Sequence, residues 1–320
     1  MLDNVIKRDN ENPLISIIIP SYNQGKYIRE TIESCLSQDY RPIEIIIFDG
    51  ASTDDTVSIL KEFDDSELWW VSEADEGVVD AVNKGLKKAN GELITIQSSD
   101  DVFLPGAFDA VVEAYKGNRE ADLFFGNVKH INENSHIMGE DVIPEFILEH
   151  YLGRFTYIPQ PGTFITRSAL ATGKGWRQAY SYVADADFWM RIVFHHKVKK
   201  IERYMAAYRY HPEQRDTQKD KIAKDWQAMI RDLIKIESLD GRKKRYARMG
   251  IHLANYRYTP ESEWLRRTGL LYRAALACPE SVGNKRFPKR ELVPGRTPIW
   301  KMLSKIKRVI GLRQKNTLPH

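Results

Sequence analysis

Apolar residues come first in unbroken runs and only later at helical intervals. Leu14-Ile15-Ser16-Ile17-Ile18-Ile19-Pro20 and Ile43-Glu44-Ile45-Ile46-Ile47-Phe48-Asp49 are β-branched runs of the kind that form strands buried on both faces of a parallel sheet. Between them, after a Ser21-Tyr22-Asn23-Gln24-Gly25 turn, Tyr27, Ile28, Ile32 and Leu36 recur at the spacing of one helix face. The unit repeats with a strand at Leu68–Ser72 and a helix over 79–89 that Asn90-Gly91 stops. A fourth strand, Ile94-Thr95-Ile96-Gln97, runs into Ser98-Ser99-Asp100-Asp101, and Pro105 is placed as the first residue of the next helix, to about Tyr115. Further on, 122–128 reads as a strand, 159–167 as a loop entering a strand, 173–182 as an aromatic loop, and 183–192 as a helix with acids at its start. The segment 199–210 predicts a hairpin, ended by His211-Pro212. From Thr217 onward only helices are expected, with the basic segment 242–248 between two of them. Strand–helix alternation over about 100 residues predicts a doubly wound, mixed but mostly parallel sheet. The expected organisation is an α/β domain over 1–213 and a helical, basic extension over 214–320.

Composition narrows this little. At 320 residues, 42% hydrophobic and 29% charged, the chain is that of an ordinary globular protein with room for a core and an accessory region. Two cysteines, Cys35 and Cys278, offer no disulfide framework or metal spacing, which fits a reducing compartment. The polar start has no apolar signal-peptide core, and no run of about 18 apolar residues occurs. A cytoplasmic location is the expectation. The net charge of +4 is uneven: Arg286, Lys289, Arg290, Arg296, Lys301, Lys305, Lys307, Arg308 and Arg313 are opposed only by Glu291.

Chemistry concentrates where strands end. Tyr22-Asn23, Asp49 and Asp100-Asp101 all follow strands, and ligands of open α/β sheets bind in the crevice at the carboxyl ends. Adjacent carboxylates there suit Mg²⁺ or Mn²⁺ and, through the ion, phosphate; the plainer alternative is that they cap the following helix. No G-x-G-x-x-G follows the first strand and no G-x-x-x-x-G-K-[ST] occurs, which disfavours a dinucleotide fold and a P-loop nucleotidase.

Assembled in order, these segments resemble glycosyltransferase family 2 enzymes of the GT-A fold, over roughly 14–218. The resemblance rests on Ile18-Ile19-Pro20-Ser21-Tyr22-Asn23, Ile47-Phe48-Asp49-Gly50-Ala51-Ser52-Thr53-Asp54-Asp55-Thr56, Ser72-Glu73-Ala74-Asp75-Glu76-Gly77 with Asp80-Ala81-Val82-Asn83-Lys84-Gly85, Ser99-Asp100-Asp101, Gln160-Pro161-Gly162-Thr163-Phe164 and Ala184-Asp185-Ala186-Asp187-Phe188-Trp189. It implies inverting transfer of a hexosyl or N-acetylhexosaminyl group from a nucleotide-diphosphate sugar, with UDP the commonest nucleotide, to an acceptor hydroxyl. By the same resemblance Asp101 holds a divalent cation (Mn²⁺ or Mg²⁺), with Asp100 and His211 sharing it or Asp100 on the ribose. Pro20, Ser21, Tyr22, Asn23, Asp49, Gly77, Asn83, Ser99, Asp100 and Arg191 face the donor, and Asp185 is the catalytic base. A helix N-terminus favours an ionised Asp185; Asp187, two positions on, is the competitor, and capping is the plain alternative for both. Trp176 and Tyr182 are candidates for acceptor stacking, with core packing an equal explanation. Ser98 departs from the family, many of whose members carry an acid there.

Near the end, Trp300, Leu303, Ile306, Val309 and Ile310 fall at helical spacing among basic residues. Such a helix can lie on the inner face of an anionic membrane, which would suit a lipid-linked glycan acceptor in bacterial surface polysaccharide or glycolipid assembly, or it can pack on the protein with its charges solvated. Nucleic acid is not an expected partner, since no recognition motif accompanies the charge. The alternative from another class is a degenerate nucleotide-sugar-binding protein acting through its basic tail, which only Ser98 favours; sugar-nucleotide synthesis lacks its triphosphate loop.

Overall fold

A computed structural model describes residues 12–288 and Leu292. The basic helix expected near 300–310 lies outside the described residues. The chain divides into two compact units, the first running through Phe146 and over Thr156–Thr217, the second comprising Ile147–Phe155 and the chain from Gln218.

In chain order the elements are β1 (Ile15–Ser21), α1 (Ile28–Leu36), β2 (Ile43–Asp49), α2 (Thr56–Leu60), β3 (Leu68–Ser72), α3 (Val78–Lys88), β4 (Leu93–Ile96), β5 (Val102–Phe103), α4 (Ala107–Gly117), β6 (Ala121–Asn132), β7 (Ile137–Asp141), α5 (Leu148–Leu152), β8 (Thr163–Thr166), α6 (Arg167–Gly173), α7 (Ala184–Val193) and β9 (Lys197–Tyr210), followed by α8 (Lys219–Ile236), α9 (Gly241–Tyr258) and α10 (Trp264–Ala277). The sheet runs β3-β2-β1-β4-β8-β6-β9-β5, with β7 on the side of β6. The first four strands are parallel; β8 is antiparallel to both its neighbours, and β6–β9 is parallel again. This is the mixed α/β sheet that the strand–helix alternation predicts.

The unbroken apolar runs follow from burial on both faces. Ile15, Ile17 and Ile19 join a core with Ile28 and Ile32 of α1 and Phe108 and Val111 of α4. Ile18 points the opposite way, as alternation requires, and meets α3 at Gly85, where an added Cβ would lie 2.3 Å from Ile18 Cγ2. Gly85→Ala is therefore expected to destabilise the protein by about 1–3 kcal/mol through overpacking, although alanine gains about 1 kcal/mol of helix propensity. A thermal or urea melt measures it; an unchanged midpoint would show that Ile18 can give way.

Three local expectations are corrected. The segment 199–210 is no hairpin but part of one 14-residue strand, β9. Its register against β6 shifts around Gly126, where a side chain would collide with Met205 Cγ at 2.3 Å and Arg203 O at 2.7 Å. The bulge absorbs the polar Glu202-Arg203 step and lets the strand continue. Pro105 does not begin a helix: it precedes a left-handed Gly106 (φ 75°), and α4 starts at Ala107. The basic residues 242–248 lie inside α9 rather than between helices, with Asp240 Oδ1 accepting the Lys243 amide at 2.8 Å as cap.

In the second unit α9 packs on α5 closely enough that a Cβ on Gly250 would lie 2.0 Å from the Leu152 carbonyl. Arg154 stacks its guanidinium 4.2 Å from the Trp226 ring and donates to Tyr258 Oη at 2.9 Å. Among the described residues no helix is long and apolar enough to cross a membrane.

Candidate active site

Register aligns the carboxyl ends of the parallel strands: Ser21 opposes Asp49, and Asp49 opposes Ser72. The buried Asp49 carboxylate gathers its surroundings. Oδ2 accepts from the Ser52 amide at 2.9 Å and the Ser72 hydroxyl at 2.6 Å, and Oδ1 from the Ser52 hydroxyl at 2.5 Å. Ser52 Oγ also accepts the Asn23 amide at 2.7 Å, and Asn23 Oδ1 accepts the Thr53 amide at 2.9 Å, so the loops after β1 and β2 are stitched together. Asn23 (φ 52°) and Ala51 (φ 58°) are both left-handed, a conformation that for alanine costs roughly 1–2 kcal/mol and that clusters at ligand sites. Pro20 and Ser21 are buried in β1, while Tyr22 stands exposed at the rim. Asp75 also borders this floor: a Cβ on Gly50 would lie 2.9 Å from its Oδ2, and its Oδ1 accepts the amide of Gly77 (φ 98°) at 2.8 Å.

The strand order reverses between β1 and β4, and the second cluster stands there. Thr31 of α1 donates its hydroxyl to the carbonyls of buried Ser99 at 3.0 Å and of Asp101 at 2.8 Å, fixing the loop after β4. The loop then sends its two carboxylates to different places. Asp101 is 0% exposed: Oδ1 accepts the Arg209 amide at 2.8 Å, and Oδ2 has no hydrogen-bond partner among the described residues. Burial, and then the neighbouring Asp100, push the Asp101 carboxyl well above the usual carboxylate range, against the opposing Arg209. Asp100 Oδ2 lies 2.9 Å from His211 Nε2. Arg209, buried and foreseen by no motif, braces both: its Nε donates to the Asp100 carbonyl at 2.6 Å and its Nη2 to Glu30 at 2.7 Å, with the guanidinium 4.9 Å from the Tyr27 ring. The Ser98 hydroxyl goes to Gln160 Oε1 at 2.9 Å, and Gln160 Nε2 holds the Ile96 carbonyl at 2.5 Å.

Asp100, whose side chain is 18% exposed and faces the buried His211, is more open to a divalent cation than the fully enclosed Asp101. Among the described residues no three His, Cys, Asp or Glu side chains gather to hold a metal by themselves. Two protein ligands completed by phosphate and water are the usual arrangement for a hard cation that also binds substrate.

The third cluster surrounds α7. Asp185 is its second residue and half-buried, whereas Asp187 is turned inward between Arg177 and Arg191. Arg191 gives Nη2 to Asp187 at 2.9 Å and to the Gly175 carbonyl at 2.6 Å, so its guanidinium serves this ion pair rather than an open crevice. Asn83 is likewise engaged elsewhere than expected. It donates to the Trp176 carbonyl at 2.9 Å and accepts the Trp176 amide at 2.8 Å, pinning the segment before α7 to α3. Trp176 and Tyr182 are both half-buried, with Arg215 stacked 4.9 Å from the Tyr182 ring.

Comparison with known proteins bears on the fold and the family. A solved structure of Staphylococcus aureus TarS with UDP-GlcNAc superposes with a TM-score of 0.62 at 17% identity, over 84% of this chain and 82% of that one. The Pyrobaculum calidifontis mannosyltransferase PcManGT, solved with GDP-Man and Mn²⁺, gives 0.58 at 18% identity, over 94% and 88%. At such identities the likeness speaks of the fold alone. In sequence, GlyG, a glycosyltransferase of Streptococcus pneumoniae, is 31% identical over 150 residues, 44% of this chain but only half of GlyG's own length. An uncharacterized glycosyltransferase of Mycobacterium tuberculosis is 31% identical over 182 residues, 56% of this chain and 68% of the relative. The sequence model of glycosyl transferase family 2 matches residues 16–172, which take in both the Asp49 floor and the loop after β4. Fold, family model and a relative matched over two thirds of its length converge: the chain belongs to glycosyltransferase family 2.

Proposed function

We propose that this chain transfers a sugar from a nucleoside-diphosphate donor, a uridine one first among candidates, to a glycan or lipid-linked glycan hydroxyl with inversion at the anomeric carbon. The observation that carries the reading is the Asp100–His211 pair, 2.9 Å apart after the strand at which the sheet order reverses. The bound UDP-GlcNAc of TarS and the GDP-Man with Mn²⁺ of PcManGT support a donor and a cation of these classes.

On this reading Asp49, with Ser21, Tyr22 and Asn23, receives the nucleoside, and Gly77 and Ser99 shape the same floor. Asp100 and His211 would hold the cation, while Asp101 and Arg209 fix the loop behind them. The cation, when bound, neutralises the charge of the departing diphosphate. Asp185 accepts the proton of the acceptor hydroxyl as it attacks. Asn83 acts at one remove, by holding the Trp176 segment that leads into α7.

Calorimetric titration of UDP and GDP into the purified chain, with Mn²⁺ and with EDTA, tests the reading. One nucleotide is expected to bind in Mn²⁺ and to weaken at least tenfold in EDTA. Asp100→Ala should remove most of that difference, because it deletes one of two protein ligands. Binding of neither nucleotide would overturn the donor assignment; binding indifferent to EDTA and to Asp100→Ala would overturn the metal role.

A further inference from the structure

Beyond the Asp100–His211 pair, β9 and β6 carry a strip of rings that the donor chemistry does not use. Tyr208 and Tyr210 stand two residues apart on β9 and so share a face, with ring centroids 5.0 Å apart. His130 of β6 is paired with Tyr208 in register, and its ring lies 5.3 Å from Tyr210. The polar ends are tied down. Tyr208 Oη donates to Asp216 Oδ2 at 2.8 Å, Tyr157 Oη donates to Asp141 Oδ2, and His130 Nε2 lies 3.3 Å from that same oxygen. Tyr210 remains 44% exposed and Tyr157 is also open to solvent.

The strip ends next to His211 in sequence, whose ring packs with Arg209 on Tyr27 rather than with the Tyr208–Tyr210 pair. Tyr210 is followed directly by His211, and Asp101 is among the charges that, after burial and Asp216, hold the Tyr208 phenol above its usual range. Aromatic rings locked by carboxylates at their hydroxyl ends present their faces, and the apolar face of a pyranose stacks on such a surface. The carboxylates beside the rings are acceptors for sugar hydroxyls, and they would repel a polyphosphate or a nucleic acid strand. We propose that Tyr210, with Tyr157, Tyr208 and His130, is the acceptor subsite, and that the acceptor group bound there is a sugar ring. This rests on the transferase reading above, and it puts the acceptor on a different surface from Trp176 and Tyr182.

The test is saturation-transfer NMR on the full chain with methyl β-glucoside, methyl β-galactoside and methyl N-acetyl-β-glucosaminide, in the presence of Mn²⁺ and UDP or GDP. At least one glycoside is expected to bind. Tyr210→Ala should weaken it roughly fivefold, the loss of one stacked ring. Tyr210→Phe, which keeps the ring, should stay near wild type, as should Trp69→Ala, an exposed aromatic on β3 far along the sheet order from β9. Tyr157→Ala should also weaken binding, which guards against misfolding of any single variant. Absence of glycoside binding in the wild type, or equal binding by Tyr210→Ala and Tyr157→Ala, would overturn the subsite. Nucleotide binding measured on the same samples separates the two ideas. Its loss in the wild type counts against the transferase reading, whereas its presence without glycoside binding counts against the subsite alone.

Discussion

Replacing Asp185 with asparagine is expected to lower transfer by about 10²–10⁴-fold, the usual contribution of a positioned general base, while leaving nucleotide binding and thermal stability at wild-type levels. Asparagine keeps the shape of the side chain and its place in the first turn of α7, but its amide cannot take a proton at neutral pH. Asp185 is half-buried at the start of a helix whose body is fixed by Phe188, Trp189 and Ile192 in the core, so a polar change at its second residue leaves the packing alone. The measurement is steady-state release of nucleoside diphosphate from its sugar, with and without added glycosides, alongside a melting curve. A variant within tenfold of wild type would remove Asp185 from the chemistry and pass the choice of base to its competitor Asp187.

Much of the sheet was legible because its strands are buried on both faces. Ile15, Ile17, Ile18 and Ile19 all had to be apolar, and an unbroken β-branched run admits few other readings. The positions of Asp49 and Asp100 at the carboxyl ends of parallel strands were legible for a related reason: the apolar runs that precede them mark where each strand stops. Direction was not legible. Asp100 and Asp101 are neighbours, yet the turn that Thr31 clamps sends one to His211 and the other to the Arg209 amide, each more than a hundred residues away. Nor could spacing reveal that Asn83 serves the Trp176 backbone, or that Arg209 reaches Glu30 across the fold. Each depends on register between distant elements. The one clue to Arg209 was an arginine at an inward position of a strand, which is rare without a partner. The hairpin reading of β9 fails for the same reason, since its irregular register is set against Gly126 of β6, which lies far outside the segment.

Asp187 separates stability from chemistry most sharply. Asp187→Ala is expected to destabilise the protein by about 3–5 kcal/mol, the typical result of deleting one partner of a buried ion pair, with a fall in Tm on the order of 10 °C. The carboxylate is buried and its Oδ2 receives Arg177 Nε at 2.9 Å and Arg191 Nη2 at 2.9 Å. Without it the Arg177 and Arg191 guanidiniums lose the carboxylate they share. Arg177 is 38% exposed and water would screen much of its share, so the weight falls on Arg191, only 18% exposed. Burial already draws the Arg191 guanidinium below its usual pKa, and Asp187 is the main influence holding it up. Arg191 also carries the Gly175 carbonyl, next to the Trp176 segment that Asn83 pins, so its loss would loosen the chain leading into α7. Activity would therefore fall in Asp187→Ala as well, but together with Tm, whereas Asp185→Asn should lose activity alone. Differential scanning calorimetry of the two variants side by side decides the matter. If Asp187→Ala melted like wild type and yet lost transfer, the ion pair would be dispensable for the fold and the catalytic role would pass from Asp185 to Asp187.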